Sequence, residues 1–212
     1  ANRLLTDGFR NNSGLEQNLF NLKIKHKLNP SSKIQFQMNF TDSPRAEDAG
    51  GITLEDSEED RSQARQRNLD YDTYESVNHF KIGLNWDKSW TDKIILSSYG
   101  FYSFRDFYGK LPFENGGIID LTRNYFGLGS RLNYKIGKNN LQLAAELLNQ
   151  SDQRDRYLNI LGSQGSISFS QKEKFQNFSF SILDELKLEK LFFRLSLRYD
   201  DMRLGTNGFS QD

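Results

Sequence analysis

Three arginines lie close together in the polar stretch "DRSQARQR", residues 60–67: Arg61, Arg65 and Arg67. A guanidinium group donates two parallel hydrogen bonds to a planar anion, a geometry that suits carboxylate and catecholate oxygens. The three arginines therefore form a candidate site for an anionic ligand. The acidic residues around them favour the alternative that mixed charge only keeps a long loop soluble.

A second candidate group combines tyrosine with arginine and flanks the next connection along the chain. It consists of Tyr102, Arg105, Arg123 and Tyr125. If the register of the strands turns these side chains to one side of a sheet, they face the same vestibule as the arginine cluster. We therefore include them in the predicted ligand-binding set.

Other residue types offer little chemistry. The acidic run "EDSEED", residues 55–60, lacks the glycine and the ligand spacing of a calcium loop, so a solvated loop is favoured. His26 and His79 are the only histidines, and neither has an acidic or cysteine partner at ligand spacing. No nucleophile, base and orienting group can be assembled, and no G-x-S-x-G turn occurs. We predict no metal site, no cofactor and no enzymatic activity.

The elements that must position these residues show a two-residue alternation of apolar and polar side chains. In "KIQFQMNF", Ile34, Phe36, Met38 and Phe40 point to one side of a strand and the polar residues to the other. About eight such segments are predicted. They are residues 19–28, 33–40, 77–86, 94–109, 125–136, 141–150, 175–186 and 191–200.

The connections between these segments alternate between short and long. Two long polar regions are predicted as loops, Thr41 to Ser76 and Ser151 to Lys174, and the segment "NGGIIDLTRN" as a loop of middling length. The chain is also predicted to begin and end in loop material. An up-and-down antiparallel meander collects the short turns at one rim and the long loops at the other, as in outer-membrane barrels.

Composition narrows the possible partners. The 212-residue chain carries 28 Lys and Arg against 28 Asp and Glu, which argues against a nucleic-acid partner. Mean hydropathy is -0.73, and no apolar run reaches the roughly 20 residues of a membrane-spanning helix. A membrane β-barrel remains open, because polar and apolar residues average out along each of its strands. The chain has no cysteine, which rules out disulfides and thiolate ligands.

The two faces of the predicted sheet differ sharply. One is rich in Leu, Ile and Phe with Trp86, Trp90, Tyr134 and Tyr199 near strand ends, and the other carries Lys, Arg, Gln and Asn. An apolar band with aromatic edges is typical of a lipid-facing surface, so we predict a transmembrane barrel with the polar face inward. The alternative is a soluble lipocalin-like barrel or sandwich, in which the apolar face forms the core.

The first hundred residues contain a "DG-aromatic-R-x-N-S" loop, a strand pair, and a loop of the form "PGGLT…Q-A-R…N…D". The matching residues are Asp7, Gly8, Phe9, Arg10, Asn12 and Ser13, then Ala49 to Thr53, then Gln63, Ala64, Arg65 and Asn68. In these motifs and their order the sequence resembles the barrel of TonB-dependent outer-membrane receptors of the ferric-siderophore or ferric-citrate type. Ala49 stands where proline is usual.

The resemblance implies that residues 1–212 are a partial barrel domain of about eight strands from a 22-stranded barrel. It further implies a bacterial outer-membrane location, with lipid outside and a ferric chelate as ligand. TonB would act through a plug domain that this sequence lacks. A stand-alone eight-stranded outer-membrane barrel with a structural or adhesive role is the alternative.

Overall fold

The computed structural model describes residues 1–210 as a single antiparallel sheet whose strands lie side by side in chain order. This confirms the predicted all-β, up-and-down architecture, with nine strands rather than about eight. Two short helices lie between the third and fourth strands. The elements are β1 Asn2–Thr6, β2 Leu15–Asn29, β3 Ser32–Glu47, α1 Leu54–Glu59, α2 Gln66–Asp70, β4 Tyr74–Thr91, β5 Ile94–Lys110, β6 Ile118–Ile136, β7 Asn139–Ile160, β8 Ser163–Lys187 and β9 Phe192–Ser210.

Both ends of the described chain correct the prediction of loop material. At the start, β1 pairs with β2 from Asn2 opposite Leu19 to Thr6 opposite Leu15. At the other end, β9 pairs with β8 as far as Ser210, and residues 211–212 lie outside the described residues. In β1 and in the part of β9 after residue 200 the side chains are mixed, so the alternation that marks the other strands is weak there.

The prediction of a long loop from Ser151 to Lys174 was wrong, because β7 and β8 occupy all of these residues except the turn that joins them. These strands reach 22 and 25 residues and are joined by a tight turn at Leu161 and Gly162, both with positive φ. Positive φ at both central residues is the geometry of a two-residue hairpin turn. Part of the predicted middling loop is also strand, since β6 begins at Ile118.

The rims differ as the alternation of connections predicted. Turns at residues 30–31, 92–93, 137–138 and 188–191 form one rim, here called the short-turn rim. At the opposite, long-loop rim lie segments 7–14, 48–73 and 111–117 together with the β7–β8 hairpin. Within residues 1–210, no helix is long and apolar enough to cross a membrane.

The polar face of the sheet is concave. A groove of about 740 Å³ on this face is lined by residues from β2 to β9, including Lys25, Tyr99, Glu146 and Arg198. A single groove can touch strands that far apart only if the sheet curls around it. The polar side chains therefore line the inside of the arc.

The apolar face is convex and open. Ile24, Phe36 and Leu84 are neighbours across β2, β3 and β4, and Leu84 is 48% exposed while Leu195 on β9 is 77% exposed. Among residues 1–210 the only buried apolar side chains are Ala49, Ala64 and Ile118. The Leu and Phe side chains therefore do not converge on a dry core, which contradicts the lipocalin-like alternative.

The edge of the apolar face that lies nearer the long-loop rim crosses the strands obliquely. On β2 to β5 the first outward polar residues, Asn18, Asp42, Asn78 and Asp106, stand opposite one another. Towards the last strand this edge drops, so that the outward polar residue of β9, Asp201, stands opposite Phe178. Strands in a curved sheet are tilted, so an apolar band of constant height is expected to meet successive strands at different positions in the pairing register.

Candidate ligand-binding face and its loop anchors

The residues that carry the sequence motifs fasten the long loop 48–73 to the sheet. Arg10 donates from Nε to the Gln63 carbonyl (2.9 Å), from Nη1 to the Gly50 carbonyl (2.7 Å) and from Nη2 to the Ala49 carbonyl (3.3 Å). One guanidinium thus satisfies three backbone acceptors that no regular element pairs. Arg10 acts as an anchor and is not free to bind a ligand.

A buried amide completes this anchor. Asn68 is 1% exposed, and its Nδ2 donates to the Asp48 carbonyl (3.1 Å) and to Thr73 Oγ1 (3.1 Å). A side chain on Gly50, whose φ is +67°, would collide with the Asn68 amide at 2.3 Å. Gly50 and Asn68 therefore depend on one another, which gives the "AGGIT" and "QARQRN" segments a structural reason to occur together.

An ion-pair hub joins this loop to the end of β5. Asp72 accepts from Arg45 Nη2 at 2.6 Å and from Lys110 Nζ at 2.7 Å, and Lys110 also donates to the Gly162 carbonyl at 2.7 Å. Burial opposes ionisation of Asp72, but the hydrogen bonds from Lys110 and Arg45 outweigh it, so the pKa of this carboxyl lies below its usual value. The hub is therefore charged at neutral pH.

Asn159 ties the β7–β8 hairpin to two other loops. It is fully buried, its Nδ2 donates to the carbonyls of Tyr71 (3.1 Å) and Leu111 (3.0 Å), and its Oδ1 accepts from the Gly162 amide (2.8 Å). Nothing in the sequence marks this asparagine, because its partners lie far away along the chain. The connections 48–73, 111–117 and 161–162 therefore form one connected rim.

The predicted arginine cluster lies on this anchored loop with its side chains exposed. The Arg65 amide donates to the Ala49 carbonyl at 2.8 Å and Arg65 precedes α2, while the Arg67 guanidinium lies 5.7 Å from the centre of the Tyr71 ring. Arg61, Arg65 and Arg67 all belong to the exposed class. Their backbone is held in place and their charged ends remain open, an arrangement that suits anion binding.

The four residues of the second predicted group lie on two different faces of the sheet. Arg105, Arg123 and Tyr125 lie on the concave face, whereas Tyr102 lies on the convex face, where its hydroxyl donates to Asn124 Oδ1 at 2.6 Å. The expectation that Tyr102 shares a vestibule with the others was therefore wrong. Tyr102 follows Phe101 by one residue, and a shift of one residue turns a strand side chain to the opposite face.

The two arginines of this group on the concave face differ in whether an acidic side chain neutralises them. Arg123 pairs with Asp152 at 2.6 Å, and Asp152 is 1% exposed and also accepts from Gln150. Arg105 stands directly opposite Arg123 and, within residues 1–210, has no ion pair and no hydrogen-bond partner for its buried Nε. Arg105 is therefore the member of this pair whose charge remains available.

Aromatic side chains pack over glycines on the same face. The Tyr99 ring covers Gly129 and its hydroxyl donates to the Glu146 carboxylate, while Phe101 covers Gly127 and meets Tyr125 edge-on at 5.0 Å between ring centres. The result is a stiff aromatic strip beside Arg105. Such a strip gives the concave wall apolar contact area next to a free cation.

The acidic run at residues 55–60 is mostly helix α1. Thr53 caps this helix, since its hydroxyl accepts from the Asp56 amide and the Asp56 side chain accepts from the Thr53 amide. Acidic residues in the first turn suit the positive end of a helix. No group of side chains suited to a metal ion occurs in the part of the chain that the structure describes.

Comparison with known proteins identifies the fold. No protein-family model matches the chain. The structure is similar to that of the ferric citrate transporter FecA in its unliganded form, with a TM-score of 0.78 and 18% identity, covering 94% of this chain and 31% of that one. It is also similar to BauA, the ferric preacinetobactin receptor from Acinetobacter baumannii, with a TM-score of 0.59 and 11% identity, covering 97% of this chain and 38% of that one. The chain thus spans about a third of the length of each solved protein.

Proposed function

We propose that residues 1–212 are a partial barrel domain in the wall of a bacterial outer-membrane receptor that imports an anionic ferric chelate. The observation that carries the proposal is the inverted sheet, with an exposed apolar convex face and a charged concave face. In water such an apolar surface is unfavourable, whereas acyl chains would cover it. The likeness to a ferric citrate transporter and a ferric preacinetobactin receptor supports iron as the cargo.

The proposed mechanism gives each part of the chain a role. The exposed arginines of the anchored loop, Arg61, Arg65 and Arg67, together with Arg105 on the concave wall, bind the ionised oxygens of the chelate. Arg123 and Tyr125 shape the wall beside Arg105. TonB supplies energy through a plug domain outside this chain, as in the family that the sequence resembles. The wall separates the wet passage from lipid.

A binding titration tests the iron assignment. The full-length protein that contains this chain is purified in detergent and titrated with ferric citrate, a ferric catecholate and a ferric hydroxamate, and protein fluorescence is recorded. We expect saturable binding of at least one anionic chelate. Absence of binding by all three would refute the iron assignment without affecting the barrel.

A matched pair of variants tests the placement of the ligand. Arg105→Gln should weaken binding about tenfold, which corresponds to roughly 1.4 kcal/mol, because it removes a charge-assisted contact. Lys172→Gln removes the same charge from an exposed position on the convex face and should leave affinity unchanged. Equal weakening by both variants would point to a general effect of net charge.

A further inference from the structure

Five cations form a column down the concave face, from the level of Arg105 towards the short-turn rim. The register of β4 defines the levels, because its inward residues His79, Lys81, Gly83, Asn85 and Asp87 occupy successive inward-facing rows. Arg105 stands opposite His79, and Lys81 is itself the next level. The following levels reach β2 through β3, and there the cations are Lys23, Lys25 and Lys27. The cation column is defined as Arg105, Lys81, Lys23, Lys25 and Lys27, which lie on five successive levels of β2, β4 and β5.

None of the five has an ion-pair partner within residues 1–210. Five other concave cations pair with acidic side chains of that face: Lys33 with Asp87 at 3.3 Å, Arg123 with Asp152 at 2.6 Å, Arg154 with Glu173 at 3.2 Å, Arg194 with Glu185 at 2.5 Å and Arg198 with Asp200 at 2.8 Å. Arg131 and Lys135, on the concave side of β6, have no ion pair within residues 1–210 and lie outside the column. The column therefore carries surplus positive charge in a chain whose formal charges balance.

The side chains between these cations are neutral and leave space. Gln37, Asn39 and Gly83 border a recess of about 180 Å³ that Lys81 and Phe101 also line. Lys81 Nζ lies 5.5 Å from the centre of the Phe101 ring, and Lys23, Lys25, Lys27 and Lys81 are all exposed. The column thus faces open space on the inside of the arc.

We propose that the cation column is a binding path along which an anionic cargo passes down the inside of the barrel wall. The inference rests on the proposed function and adds the route that the anionic cargo follows along one side of the passage. Successive levels within one strand are about 7 Å apart, and the step from Lys81 on β4 to Lys23 on β2 also crosses two strand spacings, so these two Cα positions are roughly 12 Å apart. The Debye length at physiological ionic strength is about 8 Å, so an anion interacts with the next level within β2, whereas the step from Lys81 to Lys23 needs a ligand that both long lysine side chains can reach. A chelate with several ionised oxygens can contact a lower cation before it leaves the upper one.

Transport of the bound chelate tests the path. In the full-length receptor, Lys23→Gln, Lys25→Gln and Lys27→Gln are combined, and uptake of the ferric chelate identified by titration is measured in cells beside equilibrium binding at the surface. We expect uptake to fall at least tenfold with binding changed less than twofold. The triple Lys→Arg variant keeps the charges and should transport normally. Normal uptake by the triple Gln variant would overturn the proposal.

A matched control removes the same number of charges elsewhere. Lys138→Gln, Lys172→Gln and Lys174→Gln alter one turn residue and two exposed convex residues. We expect normal uptake from this variant. An equal loss of uptake would show that total charge matters and that the column does not.

A second measurement is independent of iron. The lysines of the full-length protein are acetylated with and without citrate, a trianion at pH 8, and with neutral glucose, and labelling is quantified by mass spectrometry. We expect citrate, but not glucose, to protect Lys23, Lys25, Lys27 and Lys81 at least threefold and to leave Lys172 unprotected. This result together with no binding of any ferric chelate would refute the iron assignment and retain the path.

Two outcomes of the labelling would overturn the column. Equal labelling with and without citrate would show that the lysines do not bind anions. No labelling of Lys23, Lys25 and Lys27 under any condition would show that protein packs permanently against them, so that the surface is a docking face.

Discussion

At the scale of single residues, polar side chains at the long-loop rim take the place of a hydrophobic core. Arg10, Asn68, Asp72 and Asn159 each bind several partners from distant parts of the chain. Asn68 and Asn159 are buried, and buried polar groups are costly to leave unpaired, so each of these two specifies a single loop arrangement. The loops can therefore hold exposed arginines in place without packing them.

Replacing Arg10 should release the loop that it anchors. Arg10→Ala removes the donor from the Gln63 and Gly50 carbonyls and one of the two donors from the Ala49 carbonyl, and hydrogen bonds to charged groups contribute about 1.5–3 kcal/mol each. We expect faster amide hydrogen exchange over residues 49–65, by at least tenfold, with the strands unchanged. Arg61→Ala, an exposed position on the same loop, is the control and should have no such effect.

The Asp72 hub should weaken in acid. The pKa of Asp72 is lowered in the folded state, so its contribution is fully present above the ordinary aspartate pKa and is lost as pH falls through the lowered value. Its side chain is 41% exposed, so solvent screening limits this contribution to roughly 0.5–1 kcal/mol. The protection factor of the amides near Gly162, which corrects for the slower intrinsic exchange in acid, should fall as the pH falls below the ordinary aspartate pKa.

Asp72→Asn should reproduce that loss of protection at neutral pH and remove the pH dependence of the protection factor. Unchanged pH dependence in this variant would assign the titration to another carboxylate. Asp60→Asn is a suitable comparison, because Asp60 accepts from Ser62 only and lies away from the Lys110 contact.

At the scale of elements, β5, β6 and β7 are locked together by side chains seated over glycines. A Cβ on Gly127 would lie 2.5 Å from Phe101 and 2.6 Å from Leu148, so both neighbours would have to move. Glycine weakens an isolated strand, but here it admits an aromatic ring from the adjacent strand. At the level of Gly127, the side chains of Phe101 and Leu148 therefore fill the space that a side chain of β6 would occupy on the concave face.

Gly127→Ala should destabilise the assembled protein. Overpacking a closely filled site costs about 1–3 kcal/mol, and we expect the full-length protein to unfold at a lower temperature when heated in detergent. Gly205→Ala on β9 is the matched control, because a Cβ there meets nothing within 4 Å. Equal destabilisation by both changes would show that the seated ring is unimportant.

For the whole molecule, the direction in which the sheet curves determines which face is left exposed. The same alternation would suit a soluble barrel if the sheet curled the other way. Because the polar face is concave, apolar side chains such as Leu84 and Leu195 are left on the outside. The sheet therefore presents an apolar surface outward and a charged surface on the inside of the arc.

Adjacent substitutions on β4 test this inversion. Leu84→Arg places a charge on the convex face, where lipid makes it cost about 2–4 kcal/mol near the midplane. Asn85→Arg places the same group on the concave face beside water. We expect the first variant to lower the amount of folded protein in outer-membrane fractions severely and the second to leave it near normal. The reverse order would contradict a lipid-facing convex surface.

Most strands and the short-turn rim could be predicted from the sequence, because each strand within the apolar band alternates between an apolar convex face and a polar concave face. Above that band both faces meet water, so the alternation fades, and β1 and the extended β7–β8 hairpin were not predicted. The motif residues were identified, but their partners across the chain were not.

Three features could be seen only in the tertiary structure. They are which face is concave, the position of Tyr102 on the face opposite to Arg105, and the succession of lysines from β2 and β4 that continues from Arg105. These features depend on cross-strand register and curvature. Both arise from the summed pairing of nine strands, and no single segment of sequence contains them.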